Sequence, residues 1–134
     1  MPMEIIRARV LGFCFGVRRA VDTAKNAVAG NADSSKKIFT LGPLVHNPVV
    51  MDSLRKNGVQ VLSGTDFSMV DGSSVVVIRA HGTTPDIIDS LKSKNAEILD
   101  ATCPKVHLSQ KRAAEWSLKG YDVIIKKEKN HGEV

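Results

Sequence analysis

Short runs rich in valine and isoleucine alternate with stretches of helical periodicity along almost the whole chain, and this alternation restricts the fold more than any other feature. The strand candidates are "EIIRARV" (4–10), "KIFTL" (37–41), "VQVL" (59–62), "SVVVIRA" (74–80), "EILDA" (97–101) and "DVIIK" (122–126). Helical patterns fill the intervals at about 17–29, 47–57, 84–94 and 105–119. Such a βαβαβ rhythm predicts an α/β fold, a parallel sheet with helices on both faces. Gly30, Gly58 and Gly120 follow the last periodic residue of a helix, and Pro48, Pro85 and Pro104 sit near helix starts. Residues 1–101 are expected to form one complete α/β module. Residues 102–134 supply only the opening helix and strand of a second, so the chain reads as truncated, with an end strand that something else must cover.

The polar residues sort by position on this scheme. Cys14, His46, His81, Cys103 and the pair His131 and Glu133 each follow a different strand candidate and fall at its C-terminal end. In open parallel sheets that edge is where ligands bind, because the helix N-termini there present free amides and partial positive charge. Taken one at a time, a lone cysteine is often a small apolar core residue and a lone loop histidine a surface or capping residue. The recurrence of Cys or His in five loops at one edge is what favours a site.

Composition narrows the partners. With 43% hydrophobic and 25% charged residues the chain is an ordinary globular one, and no stretch reaches the run of about 20 apolar residues that a membrane span needs. No secretion signal is visible at "MPMEIIRARV", which predicts a cytoplasmic protein in which two cysteines are not a disulfide framework. A net charge of +5 invites a nucleic-acid partner, but the basic residues are scattered and aromatics make up only 4%, so nucleic acid is not expected.

The chemistry those residues suit is metal or anion binding. A thiolate at a helix N-terminus is favoured by the macrodipole, which assists coordination and nucleophilic attack alike. Cys14 and Cys103 are too far apart in sequence for a CxxC grip, yet they could contribute to a cluster drawing ligands from several modules. Histidines with the hydroxyls of "HGTTP" suit a phosphate or diphosphate. A tetrahedral zinc site, or an anion-binding α/β domain, remains the alternative.

The motifs "GFCFGVRRAV" (12–21), "LGPLVHNPVV" (41–50), "VIRAHGTTP" (77–85), "LDATCPKV" (99–106) and "NHGEV" (130–134) occur together and in order. In this the chain resembles the N-terminal part of the 4-hydroxy-3-methylbut-2-enyl diphosphate reductase (LytB) family of the non-mevalonate isoprenoid pathway. The resemblance implies a 4Fe-4S cluster with Cys14 and Cys103 as two of its three thiolate ligands, the third lying beyond residue 134. It implies that His46, His81 and His131 bind the diphosphate of an allylic substrate and that Glu133 relays protons. It further implies an electron donor such as ferredoxin or flavodoxin. Lys127 stands where the family has glycine, and Gly132 where it has proline. A chain of this length is expected to be inactive alone and able to self-associate through uncovered edges.

Overall fold

The computed structural model describes residues 3–9, 11–32 and 35–126. Its elements, in order, are α1 (Phe15–Ala29), β1 (Lys37–Leu41), α2 (Pro48–Lys56), β2 (Val59–Leu62), β3 (Ser74–Ile78), α3 (Pro85–Ser93), β4 (Glu97–Asp100) and α4 (Pro104–Leu118). The expected helices are all present with ends within two residues, and four of the six expected strands form.

The four strands pair in parallel in the order β2-β1-β3-β4. The central strands are buried on both faces: β3 is buried at every position, as the continuous run "SVVVI" requires of a strand covered on two sides. On one face Ile38, Val75 and Val77 meet Ala20, Val21 and Ala24 of α1 and Met51 and Leu54 of α2. On the other face Phe39, Leu41 and Val76 meet Leu91 of α3, together with Phe67 and Val70 from the connection between β2 and β3. Each fully buried side chain of this size stabilises the fold by roughly 1.5–3 kcal/mol. The connection from β1 runs outward to β2 over one face, and those from β2 and β3 run the opposite way over the other. One hand of crossover demands that exchange of faces.

The strand order changes direction between β1 and β3, which creates a switch point at their C-terminal ends. The register makes that edge level. Leu62, Leu41, Ile78 and Asp100 close their strands side by side, so the following loops leave together. The opposite edge is stitched by charge. Lys37 pairs with Asp71 at 2.5 Å and Lys36 with Glu97 at 2.6 Å. The Lys37 ammonium, with the Ser73 hydroxyl and amide, holds the Asp71 carboxyl well below the usual carboxylate range.

Two expected strands are absent. Residues 4–9 have no regular structure, with Ile5 and Ile6 77% and 84% exposed, and Val10 lies outside the described residues. Residues 122–126 are likewise irregular, with Ile124 92% exposed. Both segments have strand-forming residues and neither has a ladder beside it. Valine and isoleucine favour a pleated, half-buried surface, and without a neighbouring strand there is none to join. Gly58 and Gly120 take the left-handed turn expected after a helix, whereas Gly30 stays right-handed (φ −75°). Lys127, His131, Gly132 and Glu133 lie outside the described residues.

The helix α4 differs from the rest. It has no buried residue, and Leu108, Trp116 and Leu118 are exposed. Among the described residues, no helix is long and apolar enough to cross a membrane.

Candidate functional site

Three strands deliver the expected residues to the level edge: β1 leads to His46, β3 to His81 and β4 to Cys103. No Cys or His follows β2 closely, and Cys14 arrives from the irregular segment before α1 rather than from a strand. The expectation that five strands each lead to a site residue is corrected for two of them: Cys14 and the pair His131 and Glu133 follow segments, 4–9 and 122–126, that are not strands.

Each cysteine occupies the N-cap of a fifteen-residue helix. The Cys14 carbonyl accepts from the Arg18 amide at 3.0 Å and starts α1; the Cys103 carbonyl accepts from the His107 amide at 3.0 Å and starts α4. Neither side chain caps its own helix, and both thiols are free of disulfides. Serine or aspartate would normally stand at such positions to bind the open amides. Cysteine leaves the thiol available for another partner in a region of positive helix potential.

The two helix starts are pressed together. A Cβ on Gly16 would lie 2.9 Å from both Cβ and Sγ of Cys103, inside any normal contact distance. One turn further along α1, the Arg19 guanidinium donates to the carbonyl of Thr102 at 2.9 Å and to that of Asp100 at 3.4 Å. The Asp100 carboxylate in turn accepts from the Thr102 amide at 2.9 Å and its hydroxyl at 2.5 Å. On the sheet side, the Cys103 amide donates to the Ala80 carbonyl at 2.9 Å, prolonging the ladder past β4. Cys103 is half-buried against the α1 core, and Cys14 is exposed.

The histidines line the same edge at the switch point. His46 is exposed, on a loop anchored by fully buried Leu44, and precedes Asn47, whose side chain caps α2 by accepting from the Val50 amide at 3.3 Å. His81 is half-buried in a cleft of about 710 Å³ shared with Arg79, Thr83, Lys92, His107 and Gln110. The next residue, Gly82, has φ +76°, and a Cβ there would lie 3.1 Å from Cγ2 of Thr102, so the turn carrying His81 disfavours a side chain by conformation and leaves little space for one. Thr84 is the N-cap of α3 and its side chain makes no capping hydrogen bond, which leaves the first α3 amides open at the same edge.

Sequence reasoning missed Arg19, Asp100, Thr102, His107 and Gln110. The signal for the closest contact was present in "GFCFG", where a glycine two residues into a helix needs a reason. Close approach of the backbone to a bulky ligand is what the flanking glycines suggest, but Gly16 makes room for Cys103 itself, while Gly12 has φ +96° and a Cβ there would meet nothing within 4 Å. Two thiols fit a sulfur-bound metal in kind, and fall short of it in number: among the described residues no group of three or more His, Cys, Asp or Glu side chains is placed to hold a metal ion. His131 and Glu133 lie outside that description.

Known proteins share this fold. The LytB protein family matches residues 5–134. The 4-hydroxy-3-methylbut-2-enyl diphosphate reductase of Thermoanaerobacter sp. (strain X514) is 39% identical over 132 residues, which are 98% of this chain and 45% of the relative. The reductase of Treponema denticola is 41% identical over 98% of this chain and 46% of its own length. A solved structure of (E)-4-hydroxy-3-methyl-but-2-enyl diphosphate reductase, the terminal enzyme of the non-mevalonate pathway, superposes with a TM-score of 0.77 at 38% identity, over 91% of this chain and 41% of that one. The corresponding enzyme from Plasmodium falciparum superposes with a TM-score of 0.81 at 31% identity, over 91% and 37%. The chain thus spans less than half the length of the relatives it matches, and over nearly all of its own length it belongs to the LytB family.

Proposed function

We propose that this chain provides the cysteine- and histidine-bearing portion of a reductase that converts 4-hydroxy-3-methylbut-2-enyl diphosphate to isopentenyl and dimethylallyl diphosphates. The observation that carries this reading is the close contact of Cys103, the N-cap of α4, with Gly16, two residues after the Cys14 N-cap of α1, at the level edge of the sheet. A 4Fe-4S cluster held there by both thiolates and a third from outside these residues would supply electrons and an iron that accepts a hydroxyl.

The net change is the loss of a hydroxyl. Two electrons and two protons enter, the C–O bond breaks, a C–H bond forms, and water leaves. Against that requirement, His46 and His81 serve as cationic or hydrogen-bonding contacts for the diphosphate, aided by Thr83, Thr84 and the open amides of α3. Arg79 and Lys92 in the His81 cleft add positive charge that favours a highly charged anion. His131 completes the diphosphate contacts and Glu133 carries protons to the leaving hydroxyl and the allyl carbon, by resemblance to the family motif "HPEV". A small ferredoxin or flavodoxin is the electron donor, and the cytoplasm the compartment. Residues 1–101 form the first module and 102–134 open a second; exposed α4 and the two irregular ends suit association with further polypeptide or with another copy.

Anaerobic reconstitution tests this reading directly. The 134-residue chain and a chimera joining it to the downstream half of the Thermoanaerobacter relative are loaded with iron and sulfide, analysed for both, and assayed with the allylic diphosphate. The expected result is a stable 4Fe-4S spectrum and turnover in the chimera, both lost with Cys14→Ala or Cys103→Ala. A chimera that holds its cluster equally well without either cysteine rejects the assignment.

A further inference from the structure

The two cysteines are separated by most of the chain, and their relative placement is set by one face of α1. Gly16 and Arg19 are three residues apart, hence on the same side of the helix. Gly16 admits Cys103 to a distance that no side chain would allow, and Arg19 grips the carbonyls of Asp100 and Thr102 immediately before it. We propose that Gly16 and Arg19 are positioning residues that set the separation of the Cys14 and Cys103 sulfurs for metal binding. The proposal rests on the metal-binding reading above and adds to it the device that makes two distant thiols a pair.

Which partner yields when the contact is crowded decides the role. Ala20, Val21 and Ala24 lock α1 into the core. The helix that follows Cys103 has no buried residue to hold it. Cys103 is tied to the sheet by its amide bond to the Ala80 carbonyl, and a methyl group on Gly16 strains that tie and displaces Cys103 rather than the more deeply packed α1. Rotation of the thiol gives no relief, since the Cβ of Cys103 is itself 2.9 Å away. Alanine also suits a helix better than glycine, so the substitution does not weaken α1 itself. Arg19 is an exposed residue whose hydrogen bonds to two carbonyls fix the turn before Cys103; removing it frees that turn without opening the core. Neither residue presents a donor to the metal. Their effect passes through the cysteine.

Cadmium(II) is the probe, because its thiolate absorption reports how many sulfurs each ion holds. The 134-residue chain is titrated with cadmium under reducing conditions against a competing chelator, alongside Gly16→Ala, Arg19→Ala, Arg19→Lys, Cys14→Ala and Cys103→Ala, with thermal melting of each. In the parent chain both sulfurs hold the ion, and either cysteine variant halves the absorption per cadmium. Gly16→Ala and Arg19→Ala are expected to lower cadmium affinity by about 10- to 100-fold, the range for residues that orient a ligand. Their absorption per ion falls toward that of the single-cysteine variants while melting stays near the parent's. Arg19→Lys, which still reaches one carbonyl, recovers part of the affinity. Wild-type affinity and absorption in Gly16→Ala and Arg19→Ala overturn the proposal. If Gly16→Ala fails to fold, Arg19→Ala alone decides it. Equal binding by the parent and both single-cysteine variants overturns the paired-thiol reading as well, and is seen before α1 is altered.

Discussion

The helices α1 and α4 are matched in everything local and opposite in everything tertiary. Each is fifteen residues long, each is capped by a cysteine without a side-chain hydrogen bond, and each starts at the same edge of the sheet. Yet α1 buries Gly16, Ala20, Val21 and Ala24, while α4 buries nothing. The sequences show why. The buried positions of α1 fall at helical spacing and are small, so the helix lies close on β1 and β3. In α4 the stretch "KVHLSQKRAAEW" offers no continuous apolar stripe toward the sheet, and its large apolar residues, Leu108, Trp116 and Leu118, are left exposed. Capping and propensity begin a helix; only an apolar face at the right spacing attaches it.

The comparison can be broken first by large truncations. Phe39→Ala empties a fully buried site under the sheet and is expected to cost about 3–5 kcal/mol in urea unfolding. Trp116→Ala removes one edge-on aromatic pair with Tyr121 and a Lys119 contact at the exposed end of α4, a loss of about 0.5–1.5 kcal/mol confined to that helix. Comparable losses from the two would mean that α4 is as integral to the fold as the core.

A gentler pair sharpens it. Ala24→Leu forces three extra carbons into a site with no exposure and is expected to destabilise by about 1–3 kcal/mol. Ala114→Leu, on the exposed helix, should stay within about 0.5 kcal/mol of the parent. Thermal melts suffice, and a large effect at Ala114 would place a packing partner on α4.

The smallest effect concerns acid. Asp71 titrates lower in the folded chain than its ordinary value of 3.8, chiefly because of Lys37 and Ser73. Its contribution is therefore complete above that value and declines as the pH falls below it. Unfolding curves through that range should show a slightly shallower acid loss in Asp71→Asn than in the parent, in the signal of the sheet rather than that of α4. An identical slope would show that the pair at this exposed edge adds nothing, as half-exposed ion pairs often do.

Most of the sheet was legible before any coordinates. The strands at 37–41 and 59–62 and the helix between them are local patterns confirmed by neighbours, and the Val/Ile run of β3 need only be buried to be right. The segments at 4–10 and 122–126 misled for the same physical reason that the others succeeded. They have strand residues, but a strand is defined by its neighbour, which a single segment does not contain. The site was legible as a set of residues on one edge and illegible as a geometry. Cys14 and Cys103 were both singled out, while their contact through Gly16 depends on how α1 lies on the sheet. Arg19 looked like one more surface charge because its acceptors, two backbone carbonyls, carry no mark in a sequence. His131 and Glu133 lie outside the described residues and rest on their place after "DVIIK" and on the family motif.

The hydrogen bond from Arg19 to Thr102 spans 83 residues of chain. Closing so long an interval costs entropy that no single contact repays, so the partners meet only after β1, β3 and β4 have aligned. The order of events in the newly made polypeptide follows: sheet first, then the docking of α1 against the turn that carries Cys103. The two-thiol ligand set proposed for Cys14 and Cys103 would then exist only in the folded chain, and metal uptake would report that folding is finished.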